Sequence, residues 1–147
     1  HSLILMQSAL AGVDLRESTV SSNVESVPAG SVVTVQVVLK NSGDTPSEGT
    51  DLRIRFPRNG FLVRIDDLPD LKRDDNDREV TAQVTIPAGD EFRFTFDLLA
   101  PRSASGLTLS SDIEVRNFLA DARLDTAFST QITNEPTNAG VVIGGVR

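Results

Sequence analysis

The side chains that carry most enzyme chemistry are scarce in this sequence. It has no cysteine, so thiol nucleophiles, disulfides and zinc–thiolate sites are excluded. Its one histidine is His1, at a terminus, where chains are usually loose, whereas a Ser-His-Asp arrangement needs an imidazole held by the fold. A metal would have to be held by oxygen alone, which means calcium or magnesium. The pair Gly144-Gly145 follows no strand-then-helix pattern and makes no phosphate loop. Carboxylates remain, 21 of them, densest between Asp66 and Glu79. There Asp74, Asp75 and Asp77, with Asn76 between them and Glu79 beyond, supply oxygen ligands over a short span, as a calcium loop requires. The stretch lacks the glycine that turns an EF-hand loop, and Lys72, Arg73 and Arg78 partly neutralise it. The competing expectation is a solvated loop whose charges pair locally. A carboxylate-based hydrolase is the enzymatic alternative, but most carboxylates fall in turns or on solvent-facing strand positions. We expect no enzyme and no obligatory cofactor.

Cations offer a second chemistry. Arg53, Arg55 and Arg64 fall on outward positions of expected strands, where a guanidinium fork could recognise carboxylate or phosphate on a partner. Ordinary cross-strand ion pairing is the plainer use of such residues. Lys and Arg number 14 against 21 acids, a formal charge of −7, which argues against nucleic acid as the partner. Phe92, Phe94 and Phe96 share one strand face with Leu98, so they form a core stripe rather than a sugar platform, for which exposed Trp or Tyr is lacking.

What positions these residues is a set of strands, because the apolar period is two. Val13 and Leu15 begin a first strand. Val33, Val35, Val37 and Leu39 mark a second, and Leu52, Ile54 and Phe56 a third. Asn59-Gly60 reads as a two-residue hairpin turn into a strand over 61–65. That register pairs Phe56 with Val63, Ile54 with Ile65 and Arg53 with Asp66, leaving Arg55 against Arg64 as one poor match. Further strands carry Val80, Ala82, Val84 and Ile86; Phe92 to Leu98; Leu107, Leu109, Ile113 and Val115; and Leu124, Phe128 and Ile132. A short helical turn is expected over 117–122. Pro28-Ala29-Gly30 and Pro87-Ala88-Gly89 each precede a strand, 59 residues apart, with core faces in step; a common turn used twice accounts for this more simply than duplication.

These elements predict an all-β chain: an immunoglobulin-like β-sandwich of seven to eight antiparallel strands over residues 12–133. His1-Ser2 has the look of a tag remnant. Residues 1–11, ending Ala9-Leu10-Ala11, fit a signal-peptide or membrane-proximal leader. Residues 134–147 read as a linker. The expected location is extracytoplasmic, periplasmic or at the cell surface, with membrane attachment through flanking segments.

The order Val27-Pro28-Ala29-Gly30, strand, Asn41-Ser42-Gly43, then Asp51-Leu52-Arg53-Ile54-Arg55-Phe56-Pro57 resembles the CARDB-like and conserved-repeat immunoglobulin-like domains of bacterial cell-envelope proteins. The second Pro-Ala-Gly, its strand and Ala100-Pro101 resemble the later half of that pattern. The resemblance spans most of residues 12–132. It implies a non-catalytic interaction or spacer module of a larger envelope protein, with a protein or a neighbouring domain as partner. A calcium- or ligand-binding domain using the acidic 66–79 loop is the alternative.

Overall fold

The computed structural model describes residues 12–56 and 59–134. Ten strands follow in order: β1 Thr19–Ser22, β2 Ser26–Pro28, β3 Val32–Lys40, β4 Ser47–Arg55, β5 Phe61–Ile65, β6 Lys72–Arg73, β7 Glu79–Ile86, β8 Glu91–Leu99, β9 Thr108–Asn117 and β10 Ala122–Thr133. They form two facing sheets. One has the order β1-β3-β8-β5 and the other β2-β10-β9-β4-β7-β6. The expected all-β sandwich is present. Seven strands of five residues or more carry it; β1, β2 and β6 are shorter and extend the sheets. Pairing is antiparallel except that β2 runs parallel to β10.

Alternation along each strand produces the core. Val33, Val35, Val37 and Leu39 of β3 and Phe94, Phe96 and Leu98 of β8 meet Leu52 and Ile54 of β4, Val80 to Ile86 of β7, Leu109, Ile113 and Val115 of β9 and Phe128 and Ile132 of β10, all buried at their inward positions. Phe56 packs edge-on against Phe96 with centroids 5.6 Å apart. Phe92, at the end of the stripe, is only partly buried.

The buried Asn41 ties the loops at one end. Its amide donates to the carbonyls of Thr45 and Ile86, and its side-chain oxygen accepts from Asp14 N–H and Gly43 N–H. This explains the Asn-Ser-Gly that follows β3.

The local expectations that fail do so over pairing. Val13 and Leu15 form no strand; Leu15 is buried in a loop, and the first strand begins at Thr19. Residues 117–122 are not helical. They form the tight turn of the β9–β10 hairpin, with Asp121 at φ +52°. Leu107 precedes β9 and is exposed. Most consequential, β4 and β5 are not a hairpin. β4 pairs with β7 and β9, while β5 lies in the other sheet against β8. The chain passes from one sheet to the other between β4 and β5. Asn59 there donates to the Thr108 carbonyl at 2.9 Å, and a Cβ at Gly60 would press on the Leu109 side chain, which would have to shift. The crossing also removes the Arg55–Arg64 mismatch, because Arg55 now sits between Glu79 and Asp112 in register.

Candidate functional site: a charged groove on the six-stranded sheet

The outward residues of β4, β7 and β9 alternate in charge. Asp51 lies between Gln83 and Arg116, Arg53 between Thr81 and Glu114, and Arg55 between Glu79 and Asp112. A groove of about 600 Å³ crosses this face. Its floor includes Asp51, Arg53, Thr81, Gln83, Glu114 and Arg116. Asp70 and Lys72 line it from the chain entering and forming β6, and Phe118 lines it from the β9–β10 turn. A second depression of about 410 Å³ continues toward β10, and Arg53 and Arg55 line both.

The turn bearing Phe118 is anchored from inside. The Asn117 amide donates to the Glu48 carbonyl at 2.8 Å and to the hydroxyls of Ser47 and Thr50, where β4 is irregular against β7. Its side-chain oxygen accepts from Ala120 N–H at 2.9 Å. The result presents Phe118 and Leu119 to solvent, 70% and 96% exposed.

The sequence candidates divide. Arg53 and Arg55 lie together in the groove, with Arg53 3.8 Å from Glu114 and Arg55 3.3 Å from Glu79. Arg64 is elsewhere, on the outer face of the four-stranded sheet. It bonds Asp66 at 2.6 Å, Asp97 at 3.2 Å and the Thr95 hydroxyl. Its guanidinium and the Thr95 N–H hold the Asp66 carboxyl below its ordinary range.

The carboxylates of the acidic loop stand apart. Asp74 accepts from Arg78 N–H at 2.7 Å, Asp77 pairs with Arg73 at 3.2 Å, Glu79 with Arg55, and Asp75 is exposed. Among the described residues no group of three or more His, Asp or Glu side chains is placed to share an ion. Local pairing distributes Asp74, Asp77 and Glu79 among separate cations. Sequence reasoning missed Arg116, Phe118 and the part Lys72 plays in the groove. The apolar pair Phe118-Leu119 in an otherwise polar turn was the available signal.

The fold has parallels among solved structures. The CARDB domain of the PF1109 protein from Pyrococcus furiosus, described in complex with di-metal ions, superposes with a TM-score of 0.57 at 16% identity, covering 84% of this chain and 96% of that one. The fold is immunoglobulin-like. A cohesin module from a Clostridium perfringens family 33 glycoside hydrolase gives a TM-score of 0.56 at 14% identity, over 85% and 99% of the two chains. The collagen-binding domain of a Staphylococcus aureus adhesin gives 0.53 at 8%, over 78% and 96%. No family model matches the sequence, and no curated protein is significantly similar to it. At these identities the likeness establishes the fold, the one expected from the CARDB-like sequence pattern. The leader at 1–11 and nearly all of the expected linker, 135–147, lie outside the described residues. Among the described residues no helix is long and apolar enough to cross a membrane.

Proposed function

We propose that this chain is a non-catalytic, extracytoplasmic interaction module of a larger envelope protein, and that it docks a protein or neighbouring domain through the six-stranded sheet. The observation that carries this reading is the groove itself. It is concave, charged and bounded by an anchored, exposed Phe118, whereas the loop carboxylates that would serve an enzyme or a calcium site are engaged locally or isolated. Similar folds in a collagen-binding adhesin domain and a cohesin module support the class of function, and the sequence resemblance to envelope domains supports the location.

The test is photo-crosslinking of the full-length protein in intact cells, with the crosslinker at Thr81 in the groove or at Thr19 on the far sheet edge. Adducts from Thr81 to another polypeptide or domain, reduced by Arg53→Glu with Arg55→Glu, are expected. Adducts confined to cytoplasmic proteins would overturn the location, and absence of adducts from both positions would overturn docking. The calcium alternative predicts a higher melting temperature in millimolar calcium through binding to the folded state; the docking reading predicts no shift.

A further inference from the structure

Four arginines outside the groove are closely held: Arg16 by Asp14 at 2.7 Å, Arg64 by Asp66 at 2.6 Å, Arg93 by Glu91 at 2.7 Å and Arg123 by Asp125 at 2.7 Å. Inside the groove Arg55 is bonded to Glu79 at 3.3 Å, but Arg53 and Arg116 share one carboxylate. Glu114 lies 3.8 Å from the first and 4.0 Å from the second, beyond hydrogen-bond reach in both cases. Arg116 Nε is buried and has no hydrogen-bond partner. Lys72 has no ion pair among the described residues. Cations outnumber acids in the lining, Arg53, Arg55, Lys72 and Arg116 against Asp51, Asp70 and Glu114, and Asp51 is engaged by the Gln83 amide at 2.8 Å.

The Arg116 side chain is 36% exposed, and its terminal amines, rather than the occluded Nε, can meet a carboxylate in the two-pronged geometry a guanidinium fork fits. Beside it stands the exposed Phe118-Leu119 tip. Holding large apolar side chains in water on a turn fixed by a buried asparagine prepares an apolar contact at little further entropic cost.

Resting on the docking reading above, we propose that the groove binds an acidic, extended protein segment. Its carboxylates are taken by Arg116, Arg53 and Lys72, and an apolar side chain packs on Phe118. The segment crosses the strands on the sheet face and adds no strand at an edge. An acidic polysaccharide is the other polyanion of an envelope, but it would leave Phe118-Leu119 without an apolar partner.

The experiment titrates the folded domain with a synthetic peptide of alternating Glu-Glu-Leu, following backbone amide shifts by NMR. Shifts should map to the β4, β7 and β9 residues of the groove and to Phe118. Affinity should fall about tenfold on raising salt from low to several times physiological strength, as expected for screened charges. Arg116→Gln combined with Lys72→Gln should weaken binding about tenfold or more while leaving the melting temperature within a few degrees, and Phe118→Ser should weaken it at constant salt dependence. Arg64→Gln should change nothing. Shifts elsewhere, binding indifferent to the Arg116 and Lys72 substitutions, or tighter binding of polygalacturonate than of the peptide would overturn the proposal. If Thr81 in the full-length protein still crosslinks to a polypeptide in any of these cases, the docking module stands and the acidic-segment assignment alone fails.

Discussion

Two stretches of this chain are built alike and finished differently. β3 and β4, with the turn before them, match β8 and β9 position by position at an offset of 59 residues, two copies of one layout. The two copies lie beside each other in both sheets. Gln36 faces Thr95 at the centre of the β3–β8 pair, and Ile54 faces Ile113 at the centre of the β4–β9 pair. Each Pro-Ala-Gly makes the same turn, with Gly30 at φ +86° and Gly89 at φ +71°, and each closes on the end of the other strand: Gly30 N–H to Ala100 O, Gly89 N–H to Asn41 O. The local sequence therefore dictates the turn in both places. What it does not dictate is burial. Ala29 is buried, its N–H bonded to Thr133 O beside β10, while Ala88 is exposed. The inward residues differ in bulk, valines on β3 opposing phenylalanines on β8. The outward residues differ in sign: Arg53 and Arg55 of one copy occupy the places of Asp112 and Glu114 in the other. Equal halves would put like charges together; these halves interlock.

The largest effect should come from the bulky copy. Phe94→Ala should cost about 3–5 kcal/mol, and Val35→Ala, its counterpart in the small copy, about 2 kcal/mol. Both side chains are fully buried, so the contrast measures volume alone. Equal shifts in the urea midpoint would mean that the core collapses around the lost rings.

Next comes Asn41, whose place in the second copy is taken by Ala100. Asn41→Ala leaves Asp14 N–H and Gly43 N–H without their acceptor and two carbonyls without their donor. At about 1–3 kcal/mol for each buried group left unpaired, partly relieved by water, the loss should be about 3 kcal/mol. A loss under about 1 kcal/mol would show that this network is dispensable. The turns sharpen the same point. Ala29→Asp places a charge in the core and should cost about 3 kcal/mol or more, whereas Ala88→Asp should stay within about 0.5 kcal/mol.

Acid should act on the first copy preferentially, through the segment that Asn41 holds. The Arg16 guanidinium and N–H pull the Asp14 carboxyl down from 3.8 to about 2. A carboxyl lowered on folding stabilises the folded state above its unfolded value and ceases to do so as pH falls toward the folded one. The stability difference between wild type and Asp14→Asn should be full above about pH 5, where an unfolded aspartate is ionised, shrink through the folded value and vanish only toward about pH 1. A difference that does not shrink between about pH 5 and about pH 2 would assign the effect to packing.

Much of this was legible before any coordinates. Period-two alternation reveals every long strand and its inward face, and the phenylalanine stripe reads as core because Phe94, Phe96 and Leu98 share parity. Pairing was less legible, because alternation is the same whichever strand lies alongside. The Asn59-Gly60 reading satisfied the apolar residues of β4 and β5 equally well in one sheet or in two facing ones. The Arg55–Arg64 mismatch was the one clue that favoured two. The groove was illegible for a different reason. Lys72, Arg53, Arg116 and Phe118 come from separate stretches that only the sheet order brings together, and the acidic loop drew notice because its residues are adjacent in sequence, which is no measure of adjacency in space.

The smallest expected effect tests the interlock itself. Arg53 and Glu114 face each other across β4 and β9 at 3.8 Å, with the arginine 42% exposed. Exposed pairs contribute about 0.2–1 kcal/mol, so Arg53→Glu alone should destabilise modestly, placing two acids in register. Glu114→Arg alone should do the same, by setting a third cation beside Arg53 and Arg116. Combining the two restores opposite charges in mirror image, and the double variant should recover most of either loss, with a coupling of about 0.5 kcal/mol. Stability measured at low and high salt separates the outcomes. A coupling that disappears in high salt confirms charge complementarity between the two copies. A coupling of zero at low salt would mean that Arg53 and Glu114 are neighbours by register alone, and that the alternating face is held by its backbone ladder rather than by its charges.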